Sequence, residues 1–303
     1  MIDFEAIINN VTLFHKIYDV IRIVDPVEKE VLYMKKNQNL DVSNIVKSTC
    51  YGFWSSGRVC ENCISMRAQT ENDVFVKFEY VHSRLYLTTA YPLETPYSKY
   101  VVEIIKDVTQ SELVSNSTEQ KEQDIFMNIM SKNRHIITDE LTALFNKRYF
   151  NEKLPYELIN NNLKGFDCAV LMLNVDALLN INHQYGPTAG DYVLKEIASI
   201  LNECIREDYD WAARLDKDAF VVYLKNIQIS DLNRVCEKIQ SQVNACSFQY
   251  NANTLPVTIS IGASHICSSN TCSVEDILKF SKNLLLEAKT EGHNNYVSRE
   301  VTQ

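Results

Sequence analysis

Two groups of side chains in this sequence have types and spacings that suit chemistry. The first is "RLDKDAF", Arg214 to Phe220, where Asp216 and Asp218 flank Lys217 at what reads as the tip of a hairpin between "DYDWAA" and "VVYLKNI". Hairpin tips usually carry glycine, so acids there suggest an active-site edge, its altered remains, or a solvated bend. The second is Cys50, then Cys60-x-x-Cys63, in "CYGFWSSGRVCENCISMRA". A Cys-x-x-Cys turn can grip one metal, and a third thiolate supplies three of the four ligands that tetrahedral zinc prefers. His82 could be the fourth. A zinc ion, an iron–sulfur cluster or a dithiol switch would each use these residues, and three reduced core cysteines beside Phe53 and Trp54 is the plainer alternative.

The elements that must position these groups fall into two halves. In the first, residues 1 to about 18 have helical apolar spacing, and "VIRIVD", "EKEVLYM", "VFVKFEY", "SRLYLTTAYPLE" and "KYVVEIIKDVT" read as strands. An antiparallel sheet with short helices follows. A polar run, "QSELVSNSTEQKEQ", leads into "DIFMNIMSKNRHII", whose apolar spacing suits a helical connector that pairs with its copy or a plain surface linker. From Asp139, strand and helix patterns alternate through "FDCAVLMLNVD", "TAGDYVLKEIASILNECI", "LPVTISIGAS" and "VEDILKFSKNLLLEAKTEG". That alternation predicts an α/β sandwich. The expected division is residues 1–110, a connector at 111–138 and a second domain at 139–303.

Totals narrow the class. A chain of 303 residues with 46% apolar content has room for two cores. A net charge of −9 argues against a nucleic-acid or anionic-membrane surface. No long apolar run or leader pattern occurs, so the expectation is a cytoplasmic protein with no membrane insertion. With nine cysteines and no secretion signal, the thiols are expected to be reduced. The six cysteines outside the cluster read as small core hydrophobes.

Five of the seven glycines lie in the second half, and Gly186, Gly190, Gly262 and Gly292 mark special backbone conformations or close ligand approach. "DELTALFNKRYF", "INHQYGPTAGDYVL", "RLDKDAF", "VTISIGAS" and "EAKTEGHNNYV" occur in that order. Together they resemble the GGDEF domain of diguanylate cyclases, a nucleotidyl-cyclase-like fold. In that family two subunits each bring one GTP to a shared interface and form cyclic di-GMP with Mg²⁺. The resemblance places metal ligands at Asn174, where the usual strand-end acid is replaced by an amide, and at Asp218, which keeps an acid and is the one catalytic carboxylate of the motif. Mg²⁺ binding is therefore expected to be weak. Asp216 and Lys217 replace two glycines and Ala219 replaces the last acid.

By the same resemblance, Asn182 and Asp191 match readers of the guanine edge and Lys289 a phosphate-binding lysine, while Leu179, Pro187 and His293 depart from the pattern. Asp191 near a helix start also suits a capping role, Asp218 a solvated turn acid, and Lys289 an exposed helix lysine. The register of a family inhibitory site reads Glu207 to Asp210, with Arg206 one position off. The first half looks like a PAS-type sensor. The implied protein is a cytosolic signalling protein of the cyclic di-GMP system with a degenerate GGDEF domain that binds GTP or docks a protein partner, homodimeric and controlled by the sensor. The alternative is an active diguanylate cyclase.

Overall fold

A computed structural model of the chain describes residues 17–36, 49–54, 59–94, 99–109 and 119–301. The helix expected at the start of the chain lies outside the described residues. The chain divides into two compact units, Met1–Ile136 and Ile137–Gln303.

The first unit is a five-stranded antiparallel sheet in the order β2-β1-β5-β4-β3. Its strands are β1 (Val20–Asp25), β2 (Glu30–Lys36), β3 (Phe75–Val81), β4 (Arg84–Glu94) and β5 (Lys99–Asp107). Strand alternation sends Ile21 and Ile23 to one face and Val20, Arg22 and Val24 to the other. Helix α1 (Ile64–Glu71) and a 3₁₀ turn at Cys50–Trp54 cover the second face. Ile64, Ala68, Cys50 and Trp54 are among the apolar groups they bury there. Helix α2 (Glu119–Ile137) occupies most of the expected connector; residues 110–118 lie outside the described ones.

The second unit holds a six-stranded sheet in the order β13-β12-β7-β9-β8-β6. The central antiparallel strands are β7 (Cys168–Val175), β8 (Trp211–Arg214), β9 (Ala219–Lys225) and β12 (Ile259–Ile266). At the edges, β6 (Phe145–Asn146) and β13 (Tyr296–Glu300) pair in parallel with β8 and β12. A small hairpin, β10 (Gln249–Tyr250) with β11 (Asn253–Thr254), stands apart. The helices are α3 (Lys147–Lys164), α4 (Leu178–Tyr185), α5 (Pro187–Cys204), α6 (Ile229–Ala245) and α7 (Val274–Thr290).

Leu171, Leu173, Val222 and Ile261 on the sheet meet Val193, Ile197, Cys236 and Ile239 from α5 and α6 in one continuous core. Helix α7 lies close on the sheet because Gly262 has no side chain: a Cβ there would stand 2.2 Å from the Leu285 amide nitrogen and 2.3 Å from the Ser281 carbonyl oxygen. Gly186 and Gly292 have positive φ values of 89° and 124°, the left-handed backbone expected of them.

Candidate nucleotide site and cysteine cavity

The hairpin turn and the end of β7 meet because β7 pairs with β9 so that Asn174 lies opposite Ala219. Asn174 Nδ2 donates to Asp218 Oδ2 at 2.9 Å. The residues placed as a metal pair by the resemblance are therefore together, but an N–H donor faces the carboxylate. A hard cation needs oxygen ligands. One carboxylate opposed by the donor end of a neutral amide makes a weaker Mg²⁺ site than two carboxylates.

The turn is built as a closed unit. Asp216 and Lys217 are exposed, while Asp218 and Ala219 are half-buried. Arg214 lies beneath them, with Nη2 donating to the Lys217 carbonyl at 2.7 Å and Nη1 pairing with Asp139 at 3.1 Å. Asp139 also accepts from the Thr142 amide and hydroxyl. Burial works against its charge, yet the hydrogen bonds from Thr142 and Arg214 prevail and hold the Asp139 carboxyl below its usual range.

At the strand end, Asp176 is 6% exposed and accepts from Ser260 Oγ at 2.7 Å, Thr258 Oγ1 at 2.9 Å and the Asn294 amide at 3.1 Å. It ties the ends of β7, β12 and the loop after α7. Sequence reading missed Arg214, Asp139 and Asp176 as positioning residues. Their signal was faint: each is a polar residue at an element end, with a partner distant in sequence.

Asn182 on α4 and Gly190 on α5 touch. A Cβ at 190 would stand 1.9 Å from Asn182 Oδ1, and that oxygen is buried without a hydrogen-bond partner. Asp191 is exposed on the next residue of α5. Lys289 is half-buried in the last turn of α7, while Leu179 on α4 is 68% exposed and His293 is exposed at a φ of 61°. Asp210 is engaged by Arg206, which donates to it from Nε at 2.8 Å and Nη2 at 2.6 Å.

In the first unit, Cys50, Cys60 and Cys63 line one cavity of about 10 Å³, room for roughly one water centre. Arg22 and Thr88 also line it, and each leaves one buried polar atom unpartnered, Nη1 and Oγ1. The clustering read from the sequence is present, but the three sulfurs do not form a metal-sized group; among the described residues that spacing occurs at His265, Cys267 and Glu300. His82 is not a fourth ligand either, because it sits at the exposed β3–β4 turn with a φ of 49°. Burial pushes the Cys50 thiol up, and burial likewise raises Cys60 to about 11 against the opposing pull of Lys77. Lys77 stays charged despite burial because Glu79 pairs with it.

The second unit is thus an α/β domain that sets an acidic hairpin turn against a strand end. Residues 136–295 match the profile of the family described as "Diguanylate cyclase, GGDEF domain". The chain belongs to this GGDEF family.

Among curated relatives, it is 36% identical over 160 residues to Diguanylate cyclase A of Treponema denticola, covering 52% of this chain and 43% of that protein. It is 31% identical over 147 residues to Diguanylate cyclase DgcP of Pseudomonas aeruginosa, covering 48% of this chain and 22% of that one. The chain thus spans less than half the length of these relatives. Among solved structures it is similar to diguanylate cyclase SiaD of Pseudomonas aeruginosa in complex with its activator SiaC, at 26% identity and a TM-score of 0.53, over 63% of this chain and 73% of that one. The coiled coil and GGDEF domain of DgcB from Caulobacter crescentus, in complex with c-di-GMP, matches in fold at 19% identity and a TM-score of 0.56, over 63% of this chain and all of that one.

Proposed function

We propose that this chain is a signalling protein of the cyclic di-GMP system whose GGDEF domain is impaired as a cyclase and serves as a GTP-binding or docking module. The observation that carries this reading is the Asn174–Asp218 hydrogen bond of 2.9 Å. It places an amide donor where two carboxylates would be needed to hold Mg²⁺ against a triphosphate. Asp216 adds negative charge to the same exposed turn, and Ala219 brings no acid to it.

GTP binding is supported by Asn182, which packs against Gly190 beside the exposed Asp191, the two residues that match the family's guanine readers. Lys289 is the residue proposed to meet the phosphates. Docking is supported by Leu179, whose exposed side chain stands where the family resemblance calls for a phosphate-binding lysine.

The first unit is proposed as a PAS-like sensor on the strength of its antiparallel sheet covered by short helices on one face. A second copy of the chain and a protein partner complete the proposed assembly, in the cytoplasm. No helix among the described residues is long and apolar enough to cross a membrane.

A second reading, an active diguanylate cyclase, is favoured by one observation: Asp218 is retained and lies against the strand end where the family places its metal. Incubating the full chain with labelled GTP and Mg²⁺, then Mn²⁺, separates the two. The impaired reading expects no cyclic di-GMP beside an active control, and a melting temperature raised by GTP, since a ligand of the native state stabilises it. Product over many turnovers overturns it; no product and no thermal shift leaves the docking role alone.

A further inference from the structure

The far end of β12 carries a cluster that the nucleotide site does not use. His265 lies opposite Glu300 in the parallel β12–β13 register, and Cys267 follows just after the strand. One ligand-capable atom from each of the three lies within 4.8 Å of the others. Cys267 Sγ is 4.0 Å from His265 Nδ1 and donates to Glu300 Oε1 at 3.1 Å.

The histidine is oriented from behind. His265 Nε2 lies 3.0 Å from the Ile227 carbonyl oxygen, which can only accept, so this nitrogen donates and Nδ1 keeps its lone pair. The Asp167 carboxylate stands 4.0 Å behind the same nitrogen and also accepts from the Ser268 amide. An outer carbonyl or carboxylate on the second ring nitrogen is the arrangement that orients metal-binding imidazoles. The nitrogen that keeps its lone pair is the one in contact with the Cys267 sulfur.

The scaffold is rigid and the mouth is open. His265 is 3% exposed, Cys267 is half-buried and Glu300 is exposed. The Val301 amide bonds the His265 carbonyl at 2.8 Å, and Asn270 Nδ2 bonds the Val301 carbonyl at 2.7 Å, pinning the loop to β13.

We propose that His265 Nδ1, Cys267 Sγ and a Glu300 carboxylate oxygen form a binding site for one divalent transition cation of the zinc class, with solvent as the fourth ligand. Tetrahedral zinc with nitrogen, sulfur and oxygen ligands holds them about 3.5 Å apart, a spacing bracketed by the observed 3.1 and 4.0 Å. The cation takes the place of the thiol proton that Cys267 now donates to Glu300, and the proton leaves to solvent. A thiolate and an imidazole select zinc-like ions over Mg²⁺. His265 pairs with Ala169 and Ser260 with Asn174 along β7. Five residues of strand put the cluster roughly 17 Å from Asn174, so it is separate from the nucleotide site.

Co²⁺ chloride serves as the probe, added to full-length, reduced, chelator-treated protein. The expected result is one equivalent bound with a thiolate-to-cobalt absorption band that Zn²⁺ displaces. Cys267→Ser should abolish the band, and Glu300→Gln should weaken binding by about tenfold. A Cys60→Ser/Cys63→Ser variant should retain it. Circular dichroism and metal-free melting of each variant confirm the fold. Absence of cobalt binding, a band that survives Cys267→Ser, or a band lost with Cys60 and Cys63 overturns the site.

Discussion

Arg214 joins the opening segment of the GGDEF domain to its hairpin turn: Nη1 pairs with Asp139 at 3.1 Å while Nη2 holds the Lys217 carbonyl at 2.7 Å. The turn geometry thus depends on a carboxylate 75 residues earlier in the chain. Because the Asp139 carboxyl is held below its usual range, despite burial, by Thr142 and Arg214, its contribution is complete above the unfolded-state value and is lost as pH falls through the folded one. Asp139→Asn should lower stability by about 1 kcal/mol near neutral pH. The gap between the two proteins should hold above about pH 5 and shrink below about pH 4. Urea unfolding across that range checks it.

Gly262 supplies a sharper packing test. A Cβ at this position meets backbone atoms of α7 at 2.2 and 2.3 Å, and backbone cannot swing aside as a side chain can. Gly262→Ala should cost about 3 kcal/mol. Gly165, at a φ of 68° with nothing within 4 Å of its would-be Cβ, is the contrast. Gly165→Asn should cost less than about 1 kcal/mol, because Asn tolerates that backbone region. Thermal melts of both variants decide; equal losses would mean that the close approach of α7 does not govern the position.

Several elements were legible because local pattern and tertiary role agree. "VIRIVD" and "SRLYLTTAYPLE" are rich in β-branched, aromatic and other apolar residues and became β1 and β4, and the apolar periodicity of "TAGDYVLKEIASILNECI" became α5. Gly190 and Gly262 were expected to mark special backbone or close ligand approach, whereas the groups that crowd them are the protein's own, Asn182 and α7. The edge strands β6 and β13 were not legible: two and five residues long, they exist through parallel pairing with distant partners. The same holds for Glu300, which only the β12–β13 register brings beside His265 and Cys267. Within the candidate site, matching motif positions located Asn174 and Asp218, but the direction of the Asn174 amide depends on a hydrogen bond that spacing cannot reveal.

The cavity thiols yield a reactivity prediction. Burial raises Cys60 to about 11, so about one molecule in a thousand carries the thiolate at pH 8. A thiol this rarely ionised attacks alkylating agents and disulfides slowly. Iodoacetamide at pH 8 followed by peptide mapping should leave Cys60 unmodified in the native protein and label it after denaturation. Rapid native labelling at Cys60 would favour the dithiol switch over a packed, reduced thiol.

Restoring a carboxylate at 174 should convert a hydrogen bond into a metal-dependent pair. In the present chain the Asn174 amide donates to Asp218 at 2.9 Å and neutralises part of its demand for donors. Asn174→Asp removes that donor and sets two carboxylates against each other, a like-charge contact that only a cation or a proton relieves. Without divalent ions the variant should lose about 1–2 kcal/mol, and its melting temperature should recover on adding Mg²⁺ or Mn²⁺. The unaltered protein should show no comparable metal response at this site, since its amide presents N–H to the carboxylate. Differential scanning fluorimetry of both proteins in chelator and in each metal provides the check. An Asn174→Asp variant whose melting temperature ignores the metal would mean that the hairpin turn, with Lys217 and Ala219 in it, no longer forms a cation site even when its strand-end acid is returned.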